Sequence, residues 1–407
     1  MNDTPAGDRT VIGFFGRRNV GKSSVVNAVT GQQLAVVSEV GGTTTDPVQK
    51  AMELLPLGPV LIIDTPGIDD EGSLGEKRVR QARKVLNRTD VAVLVVDALA
   101  GMTRIEDELV FLFKTRQTPY VIVYNKSDLL KQSAYGGPAD DGHSVYVSAL
   151  TGYGIEALKE KIARSVRPDG AGRSLISDLV RPGDLVVLVI PIDKAAPKGR
   201  LILPQQQVIR DVLESGAASV VVRESELVDT LGSLAAKPAL VITDSQAFGK
   251  VSADTPEDVP LTSFSILFAR YKGDLEQNVL GVRTLEDIRD GGRVLICEGC
   301  THHRQCDDIG TVKLPRWIRD FTGAQPAFEF TSGGDFPDDL SMYDLIVHCG
   351  GCMLNEREMK RRLDSASALG VPMTNYGVLI AHAHGILTRA LAPLNLEVPL
   401  SNTIAEI

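Results

Sequence analysis

Two sets of residues in this 407-residue chain have the types and spacing to do chemistry. The first lies near the C-terminus. It reads Cys297-Glu-Gly-Cys300-Thr-His302-His303-Arg-Gln-Cys306, and further on His348-Cys349-Gly-Gly-Cys352. All five cysteines of the chain and three of its six histidines stand here. Thiolates gathered into two CxxC pairs suit zinc or an iron–sulfur cluster. The second set lies near the N-terminus: Gly16-Arg-Arg-Asn19-Val20-Gly21-Lys22-Ser23-Ser24. This is a P-loop pattern. Its glycines let backbone N–H groups approach phosphates, Lys22 reaches the β- and γ-phosphates, and the Ser23 hydroxyl ligates magnesium.

Three further motifs complete a nucleotide site. Asp64-Thr-Pro-Gly67 places Asp64 to hold the magnesium through water and the Gly67 N–H to sense the γ-phosphate. Asn125-Lys126-Ser127-Asp128 selects guanine. A carboxylate on Asp128 accepts from the ring N1–H and the exocyclic amine, a pair that adenine does not offer. A site built for such hydrogen bonds rejects the analogue that lacks them. Ser148-Ala149-Leu150 closes the base pocket. The nucleotide is therefore expected to be GTP with Mg2+, and Lys22, Asp64 and Gly67 are expected to carry its hydrolysis.

These residues need strands and helices to position them. Apolar runs at Val11 to Phe15, Leu61 to Ile63, Val91 to Val96, Tyr120 to Tyr124 and Ser144 to Val147 each precede a motif, as strands do when their carboxyl ends form a ligand site. Residues 1–168 are accordingly expected to form a P-loop GTPase domain, closed by the amphipathic stretch Ile155 to Val166. A linker rich in Gly and Pro follows, from Arg167 to Arg173. Residues 173–269 alternate between apolar runs and helical patterns and lack Cys and His altogether. They are expected to form a small α/β domain that assembles rather than catalyses. Alternation returns in residues 270–407, where the runs ending at Ile296 and Val347 deliver the two halves of the Cys/His set. The fold class is α/β throughout, with two largely parallel sheets beyond the GTPase domain. His382 and His384 are two apart on a helical tail, so they do not share a face.

The formal net charge of -9 argues against a broad nucleic-acid footprint. The longest strongly apolar stretch, Leu185 to Ile192, is too short to span a bilayer, so no membrane partner is expected. The first ten residues lack an apolar signal core, and clustered cysteines without one point to a reducing cytoplasm.

The motif order GRRNVGKSS, GTTTD, DTPG, NKSD, SAL resembles the TrmE-Era group of GTPases. That resemblance implies that Asn19 helps to hold K+ beside the phosphates and that Thr44, within Gly42 to Asp46, binds magnesium. Ile68 stands where Ras-like proteins carry the glutamine that orients water, so slow turnover is expected. Asp69, Asp70 and Glu71 are the neighbouring acidic groups. Over its full length the chain resembles the HydF family of GTPases that mature FeFe-hydrogenases, through Cys300-Thr-His302 and His348-Cys349-Gly-Gly-Cys352. The resemblance implies a homodimer built by the middle domain and a 4Fe–4S cluster on Cys300, Cys349 and Cys352. It also implies a scaffold and carrier role toward FeFe-hydrogenase, with the radical-SAM maturases as further partners. The fourth ligand stays open among His302, His348, Cys297 and an exogenous group; His303 and Cys306 lie beside the motif. The competing expectation is a tRNA-modification or ribosome-assembly GTPase with a structural zinc site.

Overall fold

The computed structural model describes residues 4, 6–32, 47–68, 81–130, 142–166, 174–192, 201–300 and 308–396. The chain forms two compact units, residues 1–171 and 172–407.

The first unit is built on six strands: β1 (Thr10–Phe15), β2 (Val48–Leu54), β3 (Gly58–Asp64), β4 (Val91–Asp97), β5 (Tyr120–Asn125) and β6 (Ser144–Tyr146). Their order is β2-β3-β1-β4-β5-β6. All pairings are parallel except β2 with β3. Strands β1 and β4 are buried along nearly their whole length, as the central strands of a parallel sheet must be when helices cover both faces. The covering helices include α1 (Lys22–Thr30), α2 (Arg104–Thr115) and α3 (Ile155–Ser165). Ile12, Phe14, Val93 and Val123 pack with α1 and α3 on one face, while Val11, Phe15, Leu94 and Val96 pack with Phe113 of α2 on the other. Helix α2 starts at a capping box in which Thr103 and Glu106 satisfy each other's end of the first turn.

The second unit holds two four-stranded parallel sheets. The first comprises β7 (Leu185–Val189), β8 (Ala218–Val222), β9 (Leu240–Thr243) and β10 (Leu261–Ser263), in the order β10-β9-β7-β8. Helices α4 (Leu203–Glu214), α5 (Leu227–Ser233) and α6 (Phe248–Asp254) connect them, and α7 (Phe264–Lys272) follows β10. After α8 (Leu275–Val282) comes the second sheet: β11 (Arg293–Glu298), β12 (Ala327–Ser332), β13 (Leu345–His348) and β14 (Met373–Asn375), in the order β12-β11-β13-β14. Its helices are α9 (Leu314–Thr322), α10 (Glu356–Ala368), α11 (Tyr376–Ala383) and α12 (Leu387–Leu391). Side-chain caps set several helix starts: Ser263 for α7, Asp274 for α8, Asn355 for α10 and Asn375 for α11.

The two sheets share one core. Val187 and Ile242 of the first and Ile296 and Val347 of the second bury into a single apolar cluster with Leu267 and Phe268 of α7 and Val378 and Leu379 of α11. Helix α7 thus lies in a core common to both sheets, and its last turn reaches the cysteine loop after β13. No helix among the described residues is long and apolar enough to cross a membrane.

Candidate nucleotide site and thiolate site

The phosphate end of the nucleotide site is assembled from the ends of β1 and β3. Lys22, the first residue of α1, points its ammonium at Asp64 Oδ1 across 3.4 Å. The Ser23 hydroxyl donates to Asp64 Oδ2 at 2.7 Å. Asp64 is buried, and its Oδ1 accepts no hydrogen bond from the described residues. A hydroxyl and a buried carboxylate are the hard oxygen ligands that Mg2+ takes. The residues present therefore fit that ion.

Backbone geometry explains the glycines. Gly67 lies so close to the P-loop that a Cβ there would stand 2.9 Å from Arg18 Cα. Ile68 donates its N–H to the Gly16 carbonyl at 3.2 Å, and its side chain is buried. An apolar, buried side chain cannot orient a water molecule. Gly21 has φ 84°, and a Cβ there would lie 2.3 Å from Asn125 Nδ2. Replacing Gly21 with Ala combines a left-handed backbone with that collision, so GTP affinity is expected to fall by about tenfold or more. Titration with a fluorescent GTP analogue, with a thermal melt as control, checks this; unchanged affinity would show that the loop can shift at no cost.

The base end is tied to the phosphate end by one side chain. Asn125 donates to the Val20 carbonyl at 3.0 Å and accepts from the Ala149 N–H at 3.1 Å. The Lys126 ammonium reaches the Asn19 carbonyl at 2.9 Å and Asp97 at 2.6 Å. Among the causes that act on the Asp97 carboxyl, burial is the largest and raises its pKa, but the bonds from Lys126 and the Leu99 N–H outweigh it and hold the group below its usual range. Asp128 sits exposed on the short turn Ser127–Leu129, open to a base. Ser148 is buried and its hydroxyl accepts from the Thr151 N–H at 3.1 Å, which shapes the loop that carries Ala149. Asn19 has a left-handed φ of 64° and is exposed at the loop crest. Ser24 lies in the first turn of α1. Thr44, Asp69, Asp70 and Glu71 lie outside the described residues.

In the second unit, β11 and β13 lie side by side with Cys297 opposite His348. The Cys349 N–H donates to the Cys297 carbonyl at 2.9 Å. Both halves of the motif therefore emerge at the carboxyl ends of adjacent parallel strands. Cys349 Sγ accepts from the N–H of Gly299 at 3.0 Å and of Gly351 at 3.4 Å. Gly351 has φ 63°, and a Cβ there would strike Met359 Sδ at 2.5 Å. Cys300, Cys349 and Cys352 are each partly exposed, whereas Cys297 is buried. Cys297 packs with Leu340, Tyr343 and Ile346 in a small apolar cluster, and burial pushes its thiol up to about 12.

Burial also raises the Cys349 thiol and pushes Cys352 up to about 11, while the N–H bonds to Cys349 and the charge of Lys272 near Cys352 oppose it. Binding a metal would deprotonate both thiols. Among the described residues no three Cys, His, Asp or Glu side chains converge on a single ion. A cubane does not need such convergence, because each thiolate anchors a separate iron. Two partly buried cysteines on one tight loop, the sulfur of one already receiving backbone N–H bonds, together with a third on the adjacent strand end, fit a cluster.

His348 does not fit a ligand role in this geometry. The residue is buried, its Nδ1 lies 2.7 Å from the Cys349 carbonyl, and its Nε2 lies 2.9 Å from Arg362 Nη1. Both ring nitrogens are engaged. Burial, then the Arg362 charge, push its pKa down to about 3, so the ring is neutral. His302, His303 and Cys306 lie outside the described residues. Arg362 and Lys272 were not singled out by sequence. Arg362 stands on an otherwise polar helix and Lys272 in the last turn of an apolar one, two places where a basic residue reads as solvated.

The first unit thus has the fold and site of a P-loop GTPase domain, and residues 11–126 match the family model described as 50S ribosome-binding GTPase. Residues 175–273 match the hydrogen maturase F dimerization domain, and residues 276–393 its tetramerization domain. The chain belongs to the hydrogen maturase F family. Among curated proteins it is similar to the tRNA modification GTPase MnmE of Heliobacterium modesticaldum, 35% identical over 184 residues, or 42% of this chain and 38% of that one. It is also similar to the GTPase Der of Kosmotoga olearia, 31% identical over 170 residues, 38% of each chain. The chain therefore spans well under half the length of these relatives. Among solved structures, Era of Aquifex aeolicus aligns with 52% of this chain and 92% of its own, at 20% identity and a TM-score of 0.35.

Proposed function

We propose that this chain hydrolyses GTP and serves as a scaffold and carrier that assembles an iron–sulfur precursor and delivers the di-iron subcluster to FeFe-hydrogenase. The reading rests on one arrangement: three cysteines on adjacent parallel strand ends, none of them a fully buried residue, in a chain that also carries the P-loop and base-recognition elements of a guanine-nucleotide site. Cys300, Cys349 and Cys352 would hold a 4Fe–4S cluster, which supplies a docking iron for cargo. Cys297 stays a core thiol. The family matches to dimerization and tetramerization segments support a homo-oligomer, a dimer at least; the hydrogenase and the radical-SAM maturases would be its partners, in the cytoplasm. The similarity to tRNA modification GTPases covers only about two fifths of this chain, so it does not extend to a role on RNA.

At the nucleotide, backbone N–H groups of the P-loop and Lys22 bind and neutralise the phosphates. Ser23 and Asp64 are the groups that would hold Mg2+, and Thr44 would complete them. The Gly67 N–H faces the γ-phosphate. Ile68 offers no polar atom to the attacking water, which keeps intrinsic turnover slow. The exposed Asn19 beside the phosphates supports K+ stimulation. Turnover at matched ionic strength is expected to be several-fold higher in potassium than in sodium, and equal rates would remove Asn19 from that role. The function as a whole is tested by activating an apo-hydrogenase with the cluster-loaded protein. Activation that needs Cys349 and guanine nucleotide supports it; activation by free iron and sulfide alone counts against it.

A further inference from the structure

The loop from His348 to Leu354 is gripped at both ends by cations that have almost no contact with solvent. At one end stands Arg362 of α10, with 0% exposure. Its guanidinium donates to His348 Nε2 at 2.9 Å, to Glu358 Oε1 at 2.8 Å and to the Gly333 carbonyl at 2.8 Å, and it lies 5.0 Å from the Phe336 ring centre. A guanidinium only donates, so His348 Nε2 must accept. The ring proton is then on Nδ1, donated to the Cys349 carbonyl. His348 spends its lone pair on Arg362 and its proton on the peptide that carries the first thiolate. Glu358 is shared between Arg361 and Arg362, two cations to one carboxylate.

At the other end stands Lys272, in the last turn of α7, with 3% exposure. Its ammonium donates to the carbonyls of Cys352 at 3.2 Å and Leu354 at 3.1 Å. Lys272 falls in the segment matched to the dimerization domain, whereas the loop it holds falls in the next one.

We propose that Arg362, acting through His348, and Lys272, acting on the Cys352 and Leu354 carbonyls, are positioning residues that clamp the thiolate loop and raise the reduction potential of the cluster it receives. The inference rests on the cluster reading above, and it assigns His348 to the clamp and not to iron. A positive charge beside a cluster favours the oxidation state with one more electron, so removing it lowers the potential. The same two side chains fix the backbone that presents Cys349 and Cys352.

The test uses the full-length protein, purified without oxygen and reconstituted with iron and sulfide. Wild type is compared with His348→Asn, Arg362→Met, Arg362→Lys, Lys272→Met and Lys272→Arg. Iron content, the midpoint potential from paramagnetic-resonance titration, and pulsed resonance on 15N-histidine-labelled protein are measured. His348→Asn should keep the wild-type iron count and leave any histidine coupling unchanged. Arg362→Met and Lys272→Met should shift the potential to more negative values, and the Lys and Arg exchanges should restore it. Met fills the volume of Lys272 at a helix end, so that variant decides the matter if Arg362→Met does not fold. A directly bonded nitrogen coupling that vanishes in His348→Asn, or a Lys272→Met potential equal to wild type, overturns the proposal. A wild type that binds no cluster defeats the functional reading itself, and is told apart from these outcomes by its iron count.

Discussion

Exchanging Asp128 for Asn is expected to weaken GTP binding by about a hundredfold or more and to admit xanthine nucleotides. The carboxylate accepts two hydrogen bonds from guanine, each worth about 1.5–3 kcal/mol when one partner is charged. An amide replaces one acceptor oxygen with a donor, which opposes the guanine amine and suits the xanthine carbonyl. The surroundings leave no substitute. Asn125 is committed to the Val20 carbonyl and the Ala149 N–H, and Lys126 is committed to Asp97 and Asn19. Equilibrium titration with GTP and XTP checks this. Unchanged GTP affinity would mean that the base lies elsewhere.

Exchanging Cys349 for Ser is expected to abolish stable cluster binding, while Cys297→Ser leaves it near wild type. Cys349 Sγ is the sulfur that backbone N–H groups of Gly299 and Gly351 already address. A hydroxyl in its place is a harder, shorter ligand that keeps its proton at neutral pH. Cys297 differs in kind: it faces Leu340, Tyr343 and Ile346 inside the sheet packing. Its removal should change stability by about 1 kcal/mol and leave iron content unaffected. Iron and sulfide counts on both variants check the pair. Loss of the cluster in Cys297→Ser with retention in Cys349→Ser would reverse the assignment.

Much of this was legible in the sequence. Central strands such as β4 and β7 are unbroken apolar runs, because a parallel sheet buries both faces, and each motif follows such a run. Some edge strands were not legible. β2 and β12 are mostly partly exposed or exposed and carry Gln, Lys and Glu among their apolar residues, so their composition resembles that of loops. β10 has only three residues, too few for a period. The shared core of the two sheets in the second unit was hidden because it depends on α7 and α11, whose faces meet only after the sheets form. The cysteines could be read because thiolates are chemically selective. The pairing of His348 with Arg362 could not, since it joins residues on separate elements and the motif alone suggests a metal.

The central claim is that a guanine-nucleotide domain and an iron–sulfur site share this chain. The most direct measurement is the metal and sulfide content of the protein purified and reconstituted without oxygen, with the resonance spectrum of its reduced form. About four irons and four sulfides per chain, with a spectrum that disappears in Cys349→Ser, is the predicted result. A colourless protein that retains one tightly bound zinc and no sulfide would contradict it.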